Sequence, residues 1–254
     1  MTMTIQKRLV DFLESQAGAG VVSDVRIGLG YTAVRLQSGH AGVAWTAKSD
    51  AACCTHFKEA GSLTGRPAVE LLRMLGNESS ALARTVGLAT ANALLASLPS
   101  PPTSRDEVIA TLGITPDDRV VMVGYFTPII AKIRKIGCRF DVVELNDHHG
   151  DTLTPEQGRE AMAQCSVAIV TGTSLINGTC DEVLAGLGCP RAVVLLGPSS
   201  PLCPDVFKGT LITHVAGARV RNVDALLRVV SEGGGTMLMK PNLDFETVLV
   251  NGYI

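Results

Sequence analysis

The sequence has 254 residues, which allows one large domain or two smaller ones. Hydrophobic residues make up 46% of it and aromatic residues only 4%, so the core must consist mainly of Val, Leu, Ile and Ala. That composition is typical of α/β proteins whose parallel strands are covered on both faces. The net charge of -2 excludes a general electrostatic surface for nucleic acid or anionic membranes.

The sequence also favours a cytoplasmic protein with reduced thiols. No apolar run approaches the ~18 residues of a membrane span, and the first residues, "MTMTIQKRLVDFLESQ", predict an amphipathic helix rather than a signal peptide. Seven cysteines are scattered along the chain, an odd number that argues against a disulfide framework.

Taken in chain order, the first half predicts strands followed by helices. Apolar residues alternate from Val21 to Trp45 and are interrupted by the turn-like "LGY" and "SGHAG", which indicates an antiparallel meander. Helical patterns follow at "PAVELLRML" and "SSALARTVGLATANALLASL". Strands first and helices afterwards predict an α+β unit over residues 1–98.

The second half begins after the linker-like "PSPPTS" at residues 99–104 and has a different pattern. Short apolar strands alternate with helical stretches, which predicts successive βαβ units and a parallel sheet over residues 105–254. A further strand-like run is "GTLITH", which ends at His214. The four strands of the predicted sheet are "RVVMVG" (119–124), "FDVVEL" (140–145), "VAIVTG" (167–172) and "RAVVLLG" (191–197).

Polar, glycine-containing segments follow these strands. Because ligands of a parallel sheet gather beyond the carboxyl ends of its strands, we expect a shared binding cleft there. After the first strand, Thr127 is predicted to cap a helix that begins at Pro128. After the fourth, Ser200 and Pro201 repeat that arrangement.

The third strand is followed by "TGTSLINGT", residues 171–179, five of which carry a hydroxyl or a side-chain amide. Gly172 is predicted to allow a sharp turn, and Thr173 or Ser174 to cap the next helix. The segment either lines a cleft or only makes a tight turn and satisfies a helix end.

A standard dinucleotide site is not favoured. Glu144 lies 20 residues after Gly124, close to the spacing of a ribose-binding carboxylate. However, "GYFTPI" has one glycine where that fingerprint needs three. Neither a phosphate-binding GxxxxGK[ST] loop nor a GxSxG nucleophile elbow occurs.

Two short runs contain residue types that bind metals. "NDHHGD" includes His148 and His149, but it falls in a predicted surface loop, and a solvated loop is the favoured interpretation. "CCTH" includes Cys54 and His56, which could bind Zn2+ or Cu+, although a buried cysteine pair is favoured. Cys180 and Cys203 follow strand ends and could meet in space.

Together with "DVRIGLGYTAVRL" and "GRPAVELL", the phrases "GYFTPII", "ELN", "TGTSLINGT" and "LLGPSSPL" give the chain its resemblance to a known family. From about Val21 to Lys240 it resembles the prokaryotic family described as "putative heavy-metal chelation". The resemblance implies an α/β protein: a domain like the small domain of enolase, then a Rossmann-like domain, with a site at their junction.

The resemblance also implies which residues bind the ligand. From the strand ends they are Tyr125, Phe126, Thr127, Glu144, Asn146, Thr171, Gly172, Thr173, Ser174, Asn177, Thr179, Gly197, Pro198 and Ser199. Gly30 and Tyr31 are expected to reach over from the first domain, and Lys240 faces either the cleft or water.

These phrases are rich in oxygen donors and poor in thiolates, which suits a polar or anionic organic ligand better than a soft metal bound directly. We therefore expect binding of a small polar metabolite or metal chelate between the two domains, with direct ligation of a divalent or soft metal ion as the secondary option. The alternatives are an enzyme that uses S-adenosylmethionine or NAD, and a noncatalytic scaffold. The first helix and the strand-like "FETVLVNGYI" either serve a homodimer or fold onto their own chain.

Overall fold

The computed structural model describes residues 3–16, 20–48, 57–77, 79–144 and 153–250. The first part of the chain forms a three-stranded antiparallel sheet covered by helices. Its elements are α1 (Ile5–Gln16), β1 (Val22–Ile27), β2 (Tyr31–Leu36), β3 (Ala41–Trp45), α2 (Ala68–Arg73), a 3-10 turn (Met74–Gly76) and α3 (Ala81–Ser97).

The second part forms a six-stranded sheet. Its strands are β4 (Arg119–Val123), β5 (Arg139–Val143), β6 (Val167–Thr171), β7 (Ala192–Leu196), β8 (His214–Val220) and β9 (Leu243–Leu249). Its helices are α4 (Val108–Leu112), α5 (Thr127–Ile136), α6 (Pro155–Gln164), α7 (Ser174–Asn177), α8 (Cys180–Gly186), α9 (Pro204–Phe207), α10 (Val223–Ser231) and α11 (Thr236–Met239), and a 3-10 turn spans Lys240–Asn242.

The strands of the large sheet lie in the order β5-β4-β6-β7-β8-β9. The first five are parallel, and β9 runs antiparallel to β8. The chain moves from β4 outward to β5 and then returns to place β6 on the other side of β4. The direction of winding therefore reverses between β4 and β6, and the helices that follow these two strands leave on opposite faces of the sheet.

The core explains why the central strands are continuous apolar runs. In β6, the residues from Val167 to Val170 are buried, since helices or the small sheet cover both faces. One face carries Ile169, which packs with Ile130 and Ile133 of α5. The other face belongs to a larger cluster that also contains residues of α1, α3 and the small sheet, so a single core joins the two sheets.

The expected mixed α/β fold, with an antiparallel sheet followed by a parallel one, is confirmed. Whether residues 1–98 and 105–254 are separate domains stays a prediction, as do the labels enolase-like and Rossmann-like. No helix in the described ranges combines the length and the apolarity needed to cross a bilayer.

The strand predicted at "GTLITH" is wrong, because β8 begins only at His214. The preceding residues make a local turn instead: the Thr210 hydroxyl donates to the carbonyl oxygen of Phe207 and accepts from the amide of Ile212. Such side-chain bonds offer the backbone an alternative to a strand.

Two predicted helix starts also differ. Helix α5 begins at Thr127 itself, preceded by Phe126, and no side chain caps it. No helix begins at Ser200 and Pro201, because the chain makes a turn in which the amide of Cys203 donates to the carbonyl of Pro201, and α9 starts at Pro204.

Candidate functional site

The candidate site lies at the carboxyl ends of β4, β6 and β7, where the winding of the sheet reverses. Loops diverge at such a point and leave a crevice at the sheet edge. Three short turns define it here: residues 124–127 after β4, residues 171–174 after β6 and residues 197–200 after β7.

The turn after β4 touches the end of β6. Gly124 has φ +104°, and a Cβ at this position would lie 2.8 Å from the Cβ of Thr171. Only glycine therefore satisfies both the backbone conformation and the close approach. Tyr125 and Phe126 are half-buried, while Thr127 is exposed at the start of α5.

The turn after β6 is held by its own hydroxyl groups. The Thr171 and Thr173 hydroxyls lie 3.0 Å apart, and the Ser174 hydroxyl donates to the carbonyl of Thr171 at 2.7 Å. Thr173 does occupy the N-cap position of α7, as predicted, but its side chain makes no capping hydrogen bond. Asn177, the last residue of α7, is exposed, and Thr179 is half-buried.

The turn after β7 joins the large sheet to the small one. Gly197 adopts φ +120°, and a Cβ at this position would lie 3.5 Å from the Phe126 ring. Pro198 and Ser199 are buried. The Ser199 hydroxyl accepts from the amide of Trp45 in β3 at 2.9 Å, so this side chain supports the junction between the sheets.

Asn92 of α3 strengthens the same junction. Its side-chain amide donates to the carbonyl of Ser199 at 3.2 Å and to that of Val43 at 2.9 Å. Sequence reasoning missed Asn92, because an amide in the middle of a helix gives no signal of what it contacts.

Ser200 was recognised only as a possible helix cap. It is 1% exposed and packs closely against two glycines, Gly172 and Gly217. A Cβ on Gly172 would lie 2.5 Å from its hydroxyl, and a Cβ on Gly217 would lie 2.5 Å from its carbonyl oxygen. The hydroxyl has no hydrogen-bond partner in the described part of the chain. The available signal was Gly217, because a glycine inside a strand marks a close approach of another segment.

Gly30 and Tyr31, the site residues predicted in the first half of the chain, lie against α11 and the turn before it. The Tyr31 hydroxyl is 2.8 Å from that of Thr236, and burial raises the pKa of Tyr31. A Cβ on Gly30 would lie 3.0 Å from the carbonyl oxygen of Gly234. Lys240 follows α11 and is exposed. The described contacts thus associate Gly30 and Tyr31 with α11, and the strand-end residues with one another.

Of the second-strand residues, Glu144 is half-buried at the carboxyl end of β5. Five predicted residues lie outside the described ranges: Asn146, His148, His149, Cys54 and His56.

The buried thiols of Cys180 and Cys203 are poorly suited to bind metal. Burial raises the pKa of Cys180 to about 12 and that of Cys203 to about 11, so both stay protonated at neutral pH, and both are free. Within the described ranges, no three His, Cys, Asp or Glu side chains come together in the manner of a metal site.

Comparison with known proteins identifies related sequences and folds. A family model described as "Putative heavy-metal chelation" matches residues 107–249, and a second with the same description matches residues 10–95. An uncharacterized protein from Methanocaldococcus jannaschii is 26% identical over 137 residues, which are 52% of each chain. The match thus spans about half the length of that relative.

Two crystal structures share the fold. One is a DUF364 family protein of unknown function from Pyrococcus horikoshii, which superposes with a TM-score of 0.83 at 22% sequence identity. The match covers 97% of this chain and 100% of that one. Another from Desulfitobacterium hafniense DCB-2 gives 0.79 at 18% identity, covering 95% and 97%.

Proposed function

Because the chain belongs to the family described as "Putative heavy-metal chelation", we propose that it binds a small organic anion, either free or as a metal chelate. The proposed site is formed by the turns after β4, β6 and β7, next to the small sheet. The observation that carries the proposal is the contact of Gly124 with Thr171 at the reversal point of the sheet, beside the first turn of α5.

The groups at this edge favour an oxygen-rich ligand. Thr127 and Asn177 are exposed there, and Thr173 is half-buried, so hydroxyl, amide and backbone N–H groups are available. N–H groups at the start of a helix after a strand favour negative charge. Thr127 begins such a helix, α5, which has ten residues and no side-chain cap.

The same groups argue against direct binding of a soft metal. Soft metals prefer thiolate and thioether ligands, whereas hydroxyl and carbonyl oxygens suit hard cations. A heavy metal would therefore reach this site as a chelate, with the organic anion in contact with the protein. Direct ligation by Cys54, His56, His148 or His149 is the secondary proposal, and elemental analysis tests it.

A nucleotide-type cofactor is the second candidate. Glu144 stands at the end of β5, next to the strand at which the winding reverses, where a carboxylate can accept hydrogen bonds from a ribose. Against it, the β4 turn has one glycine, so the backbone approaches a pyrophosphate less closely. Selective thermal stabilisation by NAD or S-adenosylmethionine would favour this candidate over the organic anion.

The decisive experiment is native mass spectrometry of freshly purified protein with elemental analysis of the same sample. We expect a stoichiometric organic adduct, with or without metal. A bound metal without an organic component would instead support direct ligation.

A variant locates the site. Replacing both Thr127→Ala and Asn177→Ala, the two exposed side chains of the site, should weaken binding of the adduct, or of citrate added with and without Zn2+, by at least about tenfold. The melting temperature should stay close to that of the unmodified protein. Thr111→Ala, an exposed threonine in α4, is the control. Undiminished binding by the double variant would exclude this site.

A further inference from the structure

We propose that Gln6 and Arg84 are positioning residues of the candidate site. Both belong to the first part of the chain, and both hold α7, the one-turn helix that carries Asn177. The inference rests on the proposed function, since it assigns a role to the small-sheet half at that same site.

Helix α7 cannot satisfy its own backbone. The last four carbonyl groups of a helix have no partner within it, and α7 has only four residues. The carbonyl of Ser174 accepts from the amide of Thr179 at 3.0 Å, in the turn that follows. The carbonyls of Leu175 and Ile176 need donors from elsewhere.

Two side chains supply these donors from different helices. The Gln6 side-chain amide in α1 donates to the carbonyl of Leu175 at 2.6 Å. The Arg84 guanidinium in α3 donates through Nε to the carbonyl of Ile176 and through Nη1 to that of Asn77 at 2.7 Å. Consecutive carbonyls of one turn are thus held by residues 169 and 92 positions away.

The position of this turn decides where Asn177 lies. The side chains of Leu175 and Ile176 are 0% exposed, which anchors one side of α7 in the shared core. Gln6 and Arg84 fix its backbone, and Asn177 follows directly at the exposed end. Burial lowers the pKa of the Arg84 guanidinium, and such burial of a charged group needs the compensating hydrogen bonds that the carbonyls provide.

The test compares Arg84→Met and Gln6→Met with Arg8→Met. Arg8 is the matched control, because its guanidinium also donates to a carbonyl of the second part of the chain, that of Lys208 at 2.6 Å, but at the end of α9 rather than at α7. Backbone amide exchange of residues 176–179 is measured without ligand, and citrate affinity is measured by titration of each variant.

We expect amide exchange at residues 176–179 to become about tenfold faster in the Arg84 and Gln6 variants than in the control. Citrate affinity should fall in the same two variants. Arg84→Lys should restore part of the slow exchange and part of the affinity. If α7 exchanges as slowly as in the control, or loosens without loss of affinity, the positioning role is wrong. If Arg84→Met does not fold, Gln6→Met decides.

The two proposals fail in different ways. If the unmodified protein binds no citrate, the proposed function fails for that ligand. The exchange comparison then decides by itself whether Gln6 and Arg84 hold α7.

Discussion

At the residue scale, two neighbouring serines in the turn after β7 are equally buried but differ in their hydrogen bonding. Both are almost fully buried, at 2% for Ser199 and 1% for Ser200. The Ser199 hydroxyl accepts from the amide of Trp45, whereas that of Ser200 has no partner among the described residues. A buried polar group without a partner costs free energy, while a paired one contributes to stability.

We therefore expect Ser199→Ala to lower the free energy of unfolding by about 1–2 kcal/mol, since it leaves the Trp45 amide without its acceptor. Ser200→Ala should be neutral or stabilising, because it removes an unpaired hydroxyl. Urea denaturation of both variants measures the difference. Equal destabilisation by the two would show that the Ser200 hydroxyl does have a partner.

Asp118 gives a prediction for pH dependence. Its carboxylate accepts from the Arg191 guanidinium at 2.7 Å, from the Ser166 hydroxyl at 2.7 Å and from the amide of Thr115 at 2.8 Å. These donors, Arg191 above all, hold the pKa of Asp118 well below its ordinary value of 3.8. The folded protein thus binds this proton less readily than the unfolded chain.

The resulting stabilisation is fully present above the ordinary pKa and is lost as the pH falls below it. Asp118→Asn should lower the free energy of unfolding by about 1–3 kcal/mol at pH 7, and the difference should shrink between pH 4 and pH 2. Chemical denaturation across that range measures it. A difference that stays constant with pH would contradict the assignment.

At the element scale, helix α1 is capped in part by a residue far away in sequence. The amide of Ile5, its first residue, donates to the Asp181 carboxylate at 3.2 Å, and Leu9 and Leu13 are 0% exposed. The amphipathic pattern of α1 therefore packs onto the protein's own core. Two side chains cap its start: the Thr4 hydroxyl accepts locally from the amide of Lys7 at 3.3 Å, and Asp181 of α8 accepts from the amide of Ile5.

Asp181→Ala should cost about 1 kcal/mol more than Glu182→Ala in the free energy of unfolding. Both residues lie in the first turn of α8, so both variants remove a favourable charge from that helix. Only Asp181 also caps α1. Equal effects in thermal denaturation would mean that the cap contributes nothing measurable.

At the scale of the whole molecule, one hydrophobic cluster contains residues of both sheets, among them Val34 of β2, Ala44 of β3 and Val193 of β7. The hydrogen bonds of Asn92 and Ser199 cross the same junction. Because buried apolar area dominates folding free energy, unfolding of either sheet would expose the part of this cluster that belongs to the other.

We therefore expect one cooperative unfolding transition, although the chain has two sheets. Differential scanning calorimetry should give equal calorimetric and van't Hoff enthalpies. Two resolved transitions would show that the halves are independently stable.

Local pattern was sufficient for most of the fold. Alternation predicted the small meander, and continuous apolar runs predicted β4 to β7 within about two residues, because burial on one face or two imposes these patterns directly. The sequence pattern did not predict β8, "HVAGARV", because Gly217 and two alanines weaken the strand signal there. Gly217 is small because Ser200 packs against it, a requirement set by a contact between distant segments.

The candidate site likewise has a part that the sequence determines and a part that only the tertiary structure determines. The sequence by itself located glycine and hydroxyl residues at the strand ends, since parallel strands bring their carboxyl ends to one edge whatever the details of packing. Tertiary structure alone decided what each side chain does there. Thr173 and Ser174 bond within their own turn, Ser199 joins the two sheets, and Gln6 and Arg84 hold α7. Such pairings depend on which distant backbone groups are left without partners, which becomes defined only when the chain has folded.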